Sequence, residues 1–214
     1  MAITNIKELN IIICGVGGQG IVSVSELLGN AAIRDGQPVK GSEVLGMAQR
    51  GGSVLSNIRI GEDAFAPLIP ETKSDLLLAV EPSEVLHYLG YVNKDSLIIL
   101  NTHKVVPYTV ALGHSIYPEI ATIIQGIKAK RIKIIELDAD RLAKEAGDQR
   151  TTSVVMLGAL LGSGRVPISV ETVKAVISEH FPNKVAKINC HAFDLGYKYT
   201  ETAVCSPSSK TVLF

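Results

Sequence analysis

One short stretch limits the possible folds of this chain more than any other. LNIIICG, Leu9 to Gly15, is apolar without alternation, as a strand covered on both faces of a parallel sheet requires. GVGGQG, Gly15 to Gly20, then breaks the run. IVSVSELLGNAAIRDG follows from Ile21 to Gly36 and places Ile21, Val24, Leu27, Leu28, Ala31 and Ala32 on one helical stripe. Gly36 supplies the stop. A strand, a glycine turn and a helix in that order open an α/β unit.

The rest of the chain extends the pattern. SVLSNIRIG sets Val54, Ser56, Ile58 and Ile60 on one face and Asn57 and Arg59 on the other. That half-solvated alternation predicts an antiparallel or edge strand. DLLLAVEP from Asp75, SLIILN from Ser96 and RIKIIELDA from Arg131 are further strands. Helices are expected over 83–90, 118–126, 138–146, 151–161, 169–180 and 184–199, with Ser169 as a cap. Residues 108–117 receive no assignment, and GSEVLGMAQRGGSV, Gly41 to Val54, fits no regular element. The succession predicts a three-layer α/β domain with a mostly parallel or mixed sheet. No low-complexity linker or internal repeat divides it, so residues 1–205 read as one domain and 206–214 as a C-terminal tail.

Composition removes several function classes. Formal net charge is zero and no basic excess is present, which argues against nucleic-acid binding. No run of about eighteen apolar residues predicts a membrane span. The first ten residues are polar and mixed, unlike a signal peptide, so a cytoplasmic location is expected. Cys14, Cys190 and Cys205 are far apart and form no CxxC, so no metal or iron–sulfur site is expected on this chain.

The glycine turn carries the spacing G-x-G-x-x-G at Gly15, Gly17 and Gly20. After a strand and before a helix, such a loop lets an anion approach free N–H groups at the positive end of the helix dipole. The same glycines also serve close helix–sheet packing, and both readings stand. Dinucleotide binding needs an acidic residue about twenty positions on. Lys40 occupies that place, with Glu43 arriving late, which disfavours nicotinamide chemistry. Lys40 would suit a 2′-phosphate, but no second basic residue accompanies it. A P-loop is excluded because no GK[ST] follows the glycines.

No catalytic set is evident. HExxH and GxSxG are absent. His103 ends a strand where α/β ligand sites lie. Glu81 faces a cleft or caps the next helix, and Asp138 and Asp140 read as caps. Cys190 and His191 are adjacent on a helix and point apart. Gln49, Arg50, Gly51 and Gly52 remain. An arginine between glutamine and two glycines forms either a rigid donor for a carboxylate, phosphate or subunit, or a solvated hairpin turn. Met47 is expected to pack locally.

Taken in order, ICGVGGQGIVSVSELLG, GSEVLGMAQRGGSV, NIRIG, IPETKSDLLLAVEPSEVLHYLGYV, IELDADRLAKEAGDQR, VVMLGAL and NCHAFDLGY resemble the gamma domain of 2-oxoacid:ferredoxin oxidoreductases. The nearest branch is the beta subunit of indolepyruvate ferredoxin oxidoreductase. The resemblance implies a Rossmann-like module within a complex that oxidatively decarboxylates a 2-oxoacid, such as the arylpyruvate indolepyruvate, and passes the acyl group to coenzyme A. It implies a large partner subunit holding thiamine diphosphate and iron–sulfur clusters, with ferredoxin served through the complex. A homodimer is also open. No cofactor is then bound by this chain alone, and no catalytic residue is supplied. Gly15, Gly17, Gly18, Gln19, Gly20, Glu43, Gln49, Arg50, Gly51 and Gly52 would shape an anion- or coenzyme A-facing cleft. Relatives often read EVHGM where this chain has Leu45, and often carry asparagine near Thr151, Thr152 and Ser153. The alternatives are a stand-alone nucleotide-binding regulatory module and a purely structural adaptor.

Overall fold

In the computed structural model, the residues described are 6–48, 50–106, 110, 112–114 and 116–205. The first apolar run forms β1 (Leu9–Val16), buried along its whole length. The glycine turn leads into α1 (Ile21–Arg34), whose buried residues include the expected stripe. The chain continues through β2 (Val39–Leu45), β3 (Ser53–Ile60), β4 (Ser74–Ala79), the short α2 (Val85–Tyr88) and β5 (Val92–Asn101). Then come α3 (Ile120–Ala129), β6 (Lys133–Leu137), α4 (Ala139–Ala146), a single 3-10 turn at Gln149–Thr151, α5 (Thr152–Gly162), α6 (Val170–His180) and α7 (Asn183–Cys205).

The six strands form one sheet in the order β2-β3-β1-β4-β5-β6. β1, β4, β5 and β6 run parallel, whereas β3 is antiparallel to both β1 and β2. The sheet is therefore mixed. Side chains alternate between its faces. Ile11 and Ile13 face α1, α5, α6 and α7, while Ile12 and Cys14 join a second core with Leu77, Ile98, Ile123 and Ile127. This gives the expected three layers.

Two elements differ from the sequence reading. β3 is antiparallel, but it lies inside the sheet and both its faces are covered. Arg59 is only 9% exposed. Its guanidinium pairs with Glu8 and donates to Asn10 Oδ1 at 2.8 Å and to the Ala66 carbonyl at 2.8 Å. Alternation marked the strand, but its polar face is bound rather than solvated. The second difference is β2, which begins the stretch that fits no regular element. Its glycine, serine and charges have low strand propensity. Pairing with β3 from Val39↔Ile60 to Leu45↔Val54 holds it at the outer edge.

β2 also settles the place of Lys40. Lys40 and Asn10 flank Arg59 in the sheet, at the start of β1. Six strand residues, about 20 Å, separate that level from the glycine turn. Lys40 cannot read a 2′-phosphate at the loop.

Helices α5 and α7 approach until their backbones touch. A Cβ placed on Gly158 would lie 2.9 Å from the Phe193 carbonyl carbon and 3.0 Å from the Tyr197 nitrogen. Gly196 faces the Val155 carbonyl carbon at 2.8 Å by the same measure. Glycine at these points is what allows α5, buried along most of its length, to be covered by α7.

Candidate functional site

The chain reverses direction of build at β1. From it α1 leads to β2 on one side, and β4 pairs on the other. In open α/β sheets a ligand crevice lies at such a switch point, outside the strand C-termini. The glycine loop stands there, together with residues that follow β4, β5 and β6.

The two glycine-rich motifs meet. Gly17 N–H donates to the Gly52 carbonyl at 2.8 Å, and Gly51 N–H donates to the Gly17 carbonyl at 3.1 Å. The loop after β1 and the turn between β2 and β3 thus form one backbone-paired ledge. Gly18 and Gly20 take φ of +96° and +75°, which only glycine adopts readily. Gly20 opens α1 without a side-chain cap, and no acidic residue occupies the first turn, so that end stays electropositive.

Not every expected residue faces outward. Gln19 Oε1 accepts from Val16 N–H at 2.9 Å, and its amide nitrogen reaches the Val80 carbonyl at 3.5 Å. Gly15 lets the ends of Gln19 and Ile21 pack close, since a Cβ there would lie 2.7 Å from Gln19 Oε1 and 2.6 Å from Ile21 Cδ1. These two residues build the loop from within. Arg50 is exposed on the turn, and Glu43 is exposed on β2 opposite Ser56. Gln49 lies outside the described residues, as does the tail 206–214. Met47 is fully exposed rather than packed, because the paired turn holds it away from the core.

Cavities of opposite chemistry flank the loop. On the β2 side is one of about 360 Å³, walled by Val16, Ile21, Leu45 and Val54 and floored by glycine backbone. On the β5 side is one of about 310 Å³, bordered by Gln19, His103, Asp140, Gln149 and Arg150. Gly18 borders both. His103 also borders a third cavity of about 440 Å³ with Lys104, Tyr117 and Asp138.

The acids divide into different roles. Asp138 caps α4 by accepting from Arg141 N–H at 2.9 Å. Asp140 is no cap. It is buried, accepts from Asn101 Nδ2 at 3.0 Å, and is reached by Gln149 Nε2 at 3.2 Å and Thr152 Oγ1 at 3.3 Å. Glu81 is fully buried and does cap the following turn, accepting from Ser83 N–H, Ser83 Oγ and Glu84 N–H. Its other oxygen accepts from the Tyr117 hydroxyl at 2.5 Å. Burial, and then that bond to Glu81, hold the Tyr117 phenol far above its ordinary range. Glu84 accepts from Ser53 Oγ at 2.5 Å, which ties the start of β3 to α2. Sequence reading passed over Tyr117, Glu84 and Ser53, since only their meeting at the strand ends distinguishes them.

Cys14 sits beneath this acidic pair. Burial, then the charges of Glu84 and Glu81, push its thiol well up. A neutral, enclosed thiol is a poor nucleophile and a poor metal ligand. Among the described residues no group of three or more His, Cys, Asp or Glu is placed to hold a metal ion. No described helix is long and apolar enough to cross a membrane.

Residues 10–199 match the family model described as pyruvate ferredoxin/flavodoxin oxidoreductase, and the chain belongs to that family. Within it, the chain is a gamma-type subunit of the 2-oxoacid:ferredoxin oxidoreductases. It is 42% identical over 193 residues to the indolepyruvate oxidoreductase subunit IorB of Pyrococcus horikoshii, covering 90% of this chain and 96% of that protein. The corresponding subunit of Archaeoglobus fulgidus is 42% identical over 190 residues, covering 89% and 94%. Among solved structures, the fold matches the keto/oxoacid ferredoxin oxidoreductase gamma subunit of Geobacter sulfurreducens at a TM-score of 0.68 and 20% identity, over 91% of this chain and 99% of that one. It also matches part of the 2-oxoglutarate:ferredoxin oxidoreductase of Magnetococcus marinus, solved with 2-oxoglutarate, coenzyme A and succinyl-CoA bound. There the TM-score is 0.72 at 22% identity, over 92% of this chain and 32% of that one.

Proposed function

We propose that this chain is the gamma-type subunit of a cytoplasmic complex that oxidatively decarboxylates an arylpyruvate such as indolepyruvate. In this reading the 2-oxoacid loses carbon dioxide, coenzyme A receives the acyl group, and two electrons pass to ferredoxin. Thiamine diphosphate supplies the carbanion-stabilising chemistry when bound. It and the iron–sulfur clusters belong to a large partner subunit, because the donor set of the described residues here does not fit a cluster. The three cysteines stand apart, and Cys14 is enclosed.

Residues 1–205 serve as a single domain whose task is assembly and the shaping of an anion-facing cleft. The observation that carries this is the pairing of Gly17 with Gly51 and Gly52, which joins both glycine motifs into one exposed ledge at the strand ends. The uncapped start of α1 and the His103 ring offer hydrogen-bond donors to coenzyme A phosphates or a partner carboxylate, in a cavity that Asp140 also borders and where Arg150 is paired with Asp148. Gly18 borders that approach and Gly20 opens the helix beside it, Glu43, Arg50, Gly51 and Gly52 are assigned to its β2 side, and Gly15, Gly17 and Gln19 hold the loop in shape.

The test is reconstitution. The chain is purified alone and with its large partner, and indolepyruvate-dependent reduction of ferredoxin or a viologen is followed. Turnover is expected only from the pair. Full turnover by the lone chain, or none from the assembled pair, overturns the reading.

A further inference from the structure

The two cavities on either side of the glycine loop imply more than a phosphate cradle. The one on the β2 side lies where a phosphate-binding loop would be expected to present polar groups, yet no charged residue lines it among the described residues. Val16, Ile21 and Val54 form buried walls, and Leu45 stands at the rim, 62% exposed, with Met47 beyond it. Gly17, Gly18 and Gly46 leave backbone surface free of side chains, against which a flat group can rest. Its volume of about 360 Å³ falls in the range of small-molecule sites. The neighbouring cavity of about 310 Å³ is polar instead, bordered by His103, Gln149, the buried Asp140 and an Arg150 already paired with Asp148. Nothing lies within 4 Å of where a Gly18 Cβ would project, so the ridge between the cavities is open.

We infer that this pair of cavities binds an aryl group carried on an anionic arm, the ring against Leu45 and the arm crossing Gly18 toward His103. Leu45 is then a residue that selects apolar side chains. The inference rests on the proposed function for its source of ligand. That source is either a free aryl 2-oxoacid or the aryl-acyl thioester formed from it, since both join an apolar ring to an anionic arm.

Tryptophan is absent from the chain, so in titrations of the chain alone indole fluorescence reports the ligand without a tryptophan background. The full chain, and the assembled complex, are titrated with indole, indole-3-acetate and the coenzyme A thioester of indole-3-acetate. Saturable binding is expected for both anionic probes. Leu45→Asp is expected to weaken it at least tenfold, and Leu45→Phe to keep it within about threefold. His103→Ala is expected to weaken indole-3-acetate and leave indole unchanged. Leu45 lies on an exposed edge, so these variants retain the fold; Val22→Asp, on the helical rim of the same cavity, is the second probe and is expected to act like Leu45→Asp. A thioester bound at least tenfold more tightly than the acid assigns the site to product, and equal binding assigns it to the free acid.

Absence of saturable binding, or binding unchanged in both Leu45→Asp and Val22→Asp, overturns the inference. In the assembled complex, activity that falls equally for indolepyruvate and pyruvate in Leu45→Asp also overturns it. No 2-oxoacid-dependent reduction by the wild-type complex would instead overturn the function and leave the titration to judge the site.

Discussion

Gly158→Ala and Gly126→Ala make the same chemical change in two helices and are expected to move stability in opposite directions. In α5 a new Cβ at position 158 would sit 2.9 Å from the Phe193 carbonyl carbon. The Phe193 carbonyl oxygen lies closer still, so α5 and α7 must part by more than the ~0.6 Å that would bring the two carbons to their resting distance of about 3.5 Å. The obstacle is backbone of a 23-residue helix and cannot swing aside. Overpacking of this kind costs about 3 kcal/mol at the upper end of its usual range. Alanine recovers about 1 kcal/mol of helix propensity. The net loss is roughly 2 kcal/mol, or a Tm lower by roughly 4–8 °C for a chain of this length. At Gly126 in α3 nothing lies within 4 Å of the new Cβ. Only the propensity gain remains there, and Tm is expected to rise by roughly 2–4 °C. Thermal unfolding followed by circular dichroism, with urea midpoints as a check, reads both. A Gly158→Ala protein as stable as wild type would refute the claim that α5 and α7 touch through their backbones.

Tyr117→Phe removes the hydroxyl that donates to the fully buried Glu81 carboxylate. A lost bond to a buried charged group costs about 1.5–3 kcal/mol, read as a lower urea midpoint with an unchanged m-value. Cys14 gives a pH signature. Its folded thiol titrates well above the unfolded one, so above about pH 8.5 the unfolded state releases a proton that the folded state keeps. Stability is therefore present at neutral pH and lost as pH rises, by up to about 1.4 kcal/mol per unit, with Tyr88 and Tyr117 adding in the same direction at higher pH. Unfolding midpoints measured from pH 7 to 10 should fall, and the Cys14→Ala protein should fall less; equal slopes would contradict the buried-thiol account.

Periodicity revealed the elements whose burial follows from their own sequence. β1, α1, β4 and α5 are apolar on the faces they bury, and the glycine and serine signals at Gly36 and Ser169 end or begin helices as expected. β2 was not legible because its strand character comes from β3, which supplies its partner bonds. The buried face of β3 was misread for a related reason. Arg59 looks solvated until Glu8, Asn10 and the chain at Ala66 close over it. At the site, the glycine spacing marked the loop, but no spacing rule brings Gly17 to Gly51 and Gly52. Nor does sequence separate Asp138 from Asp140, two residues apart, one a cap and the other the centre of a buried polar network.

The outer strand β2 has a consequence for how such a subunit is made. It ends the sheet with an unpaired edge of seven residues, and Val44 and Leu45 stand exposed on it. An open edge with apolar side chains is a template for another copy of itself. Only Lys40 and Glu43 interrupt it with charge. A chain at high concentration therefore presents that border to other copies of itself. Production at low concentration, or refolding at high dilution, keeps that border from being claimed by a second copy.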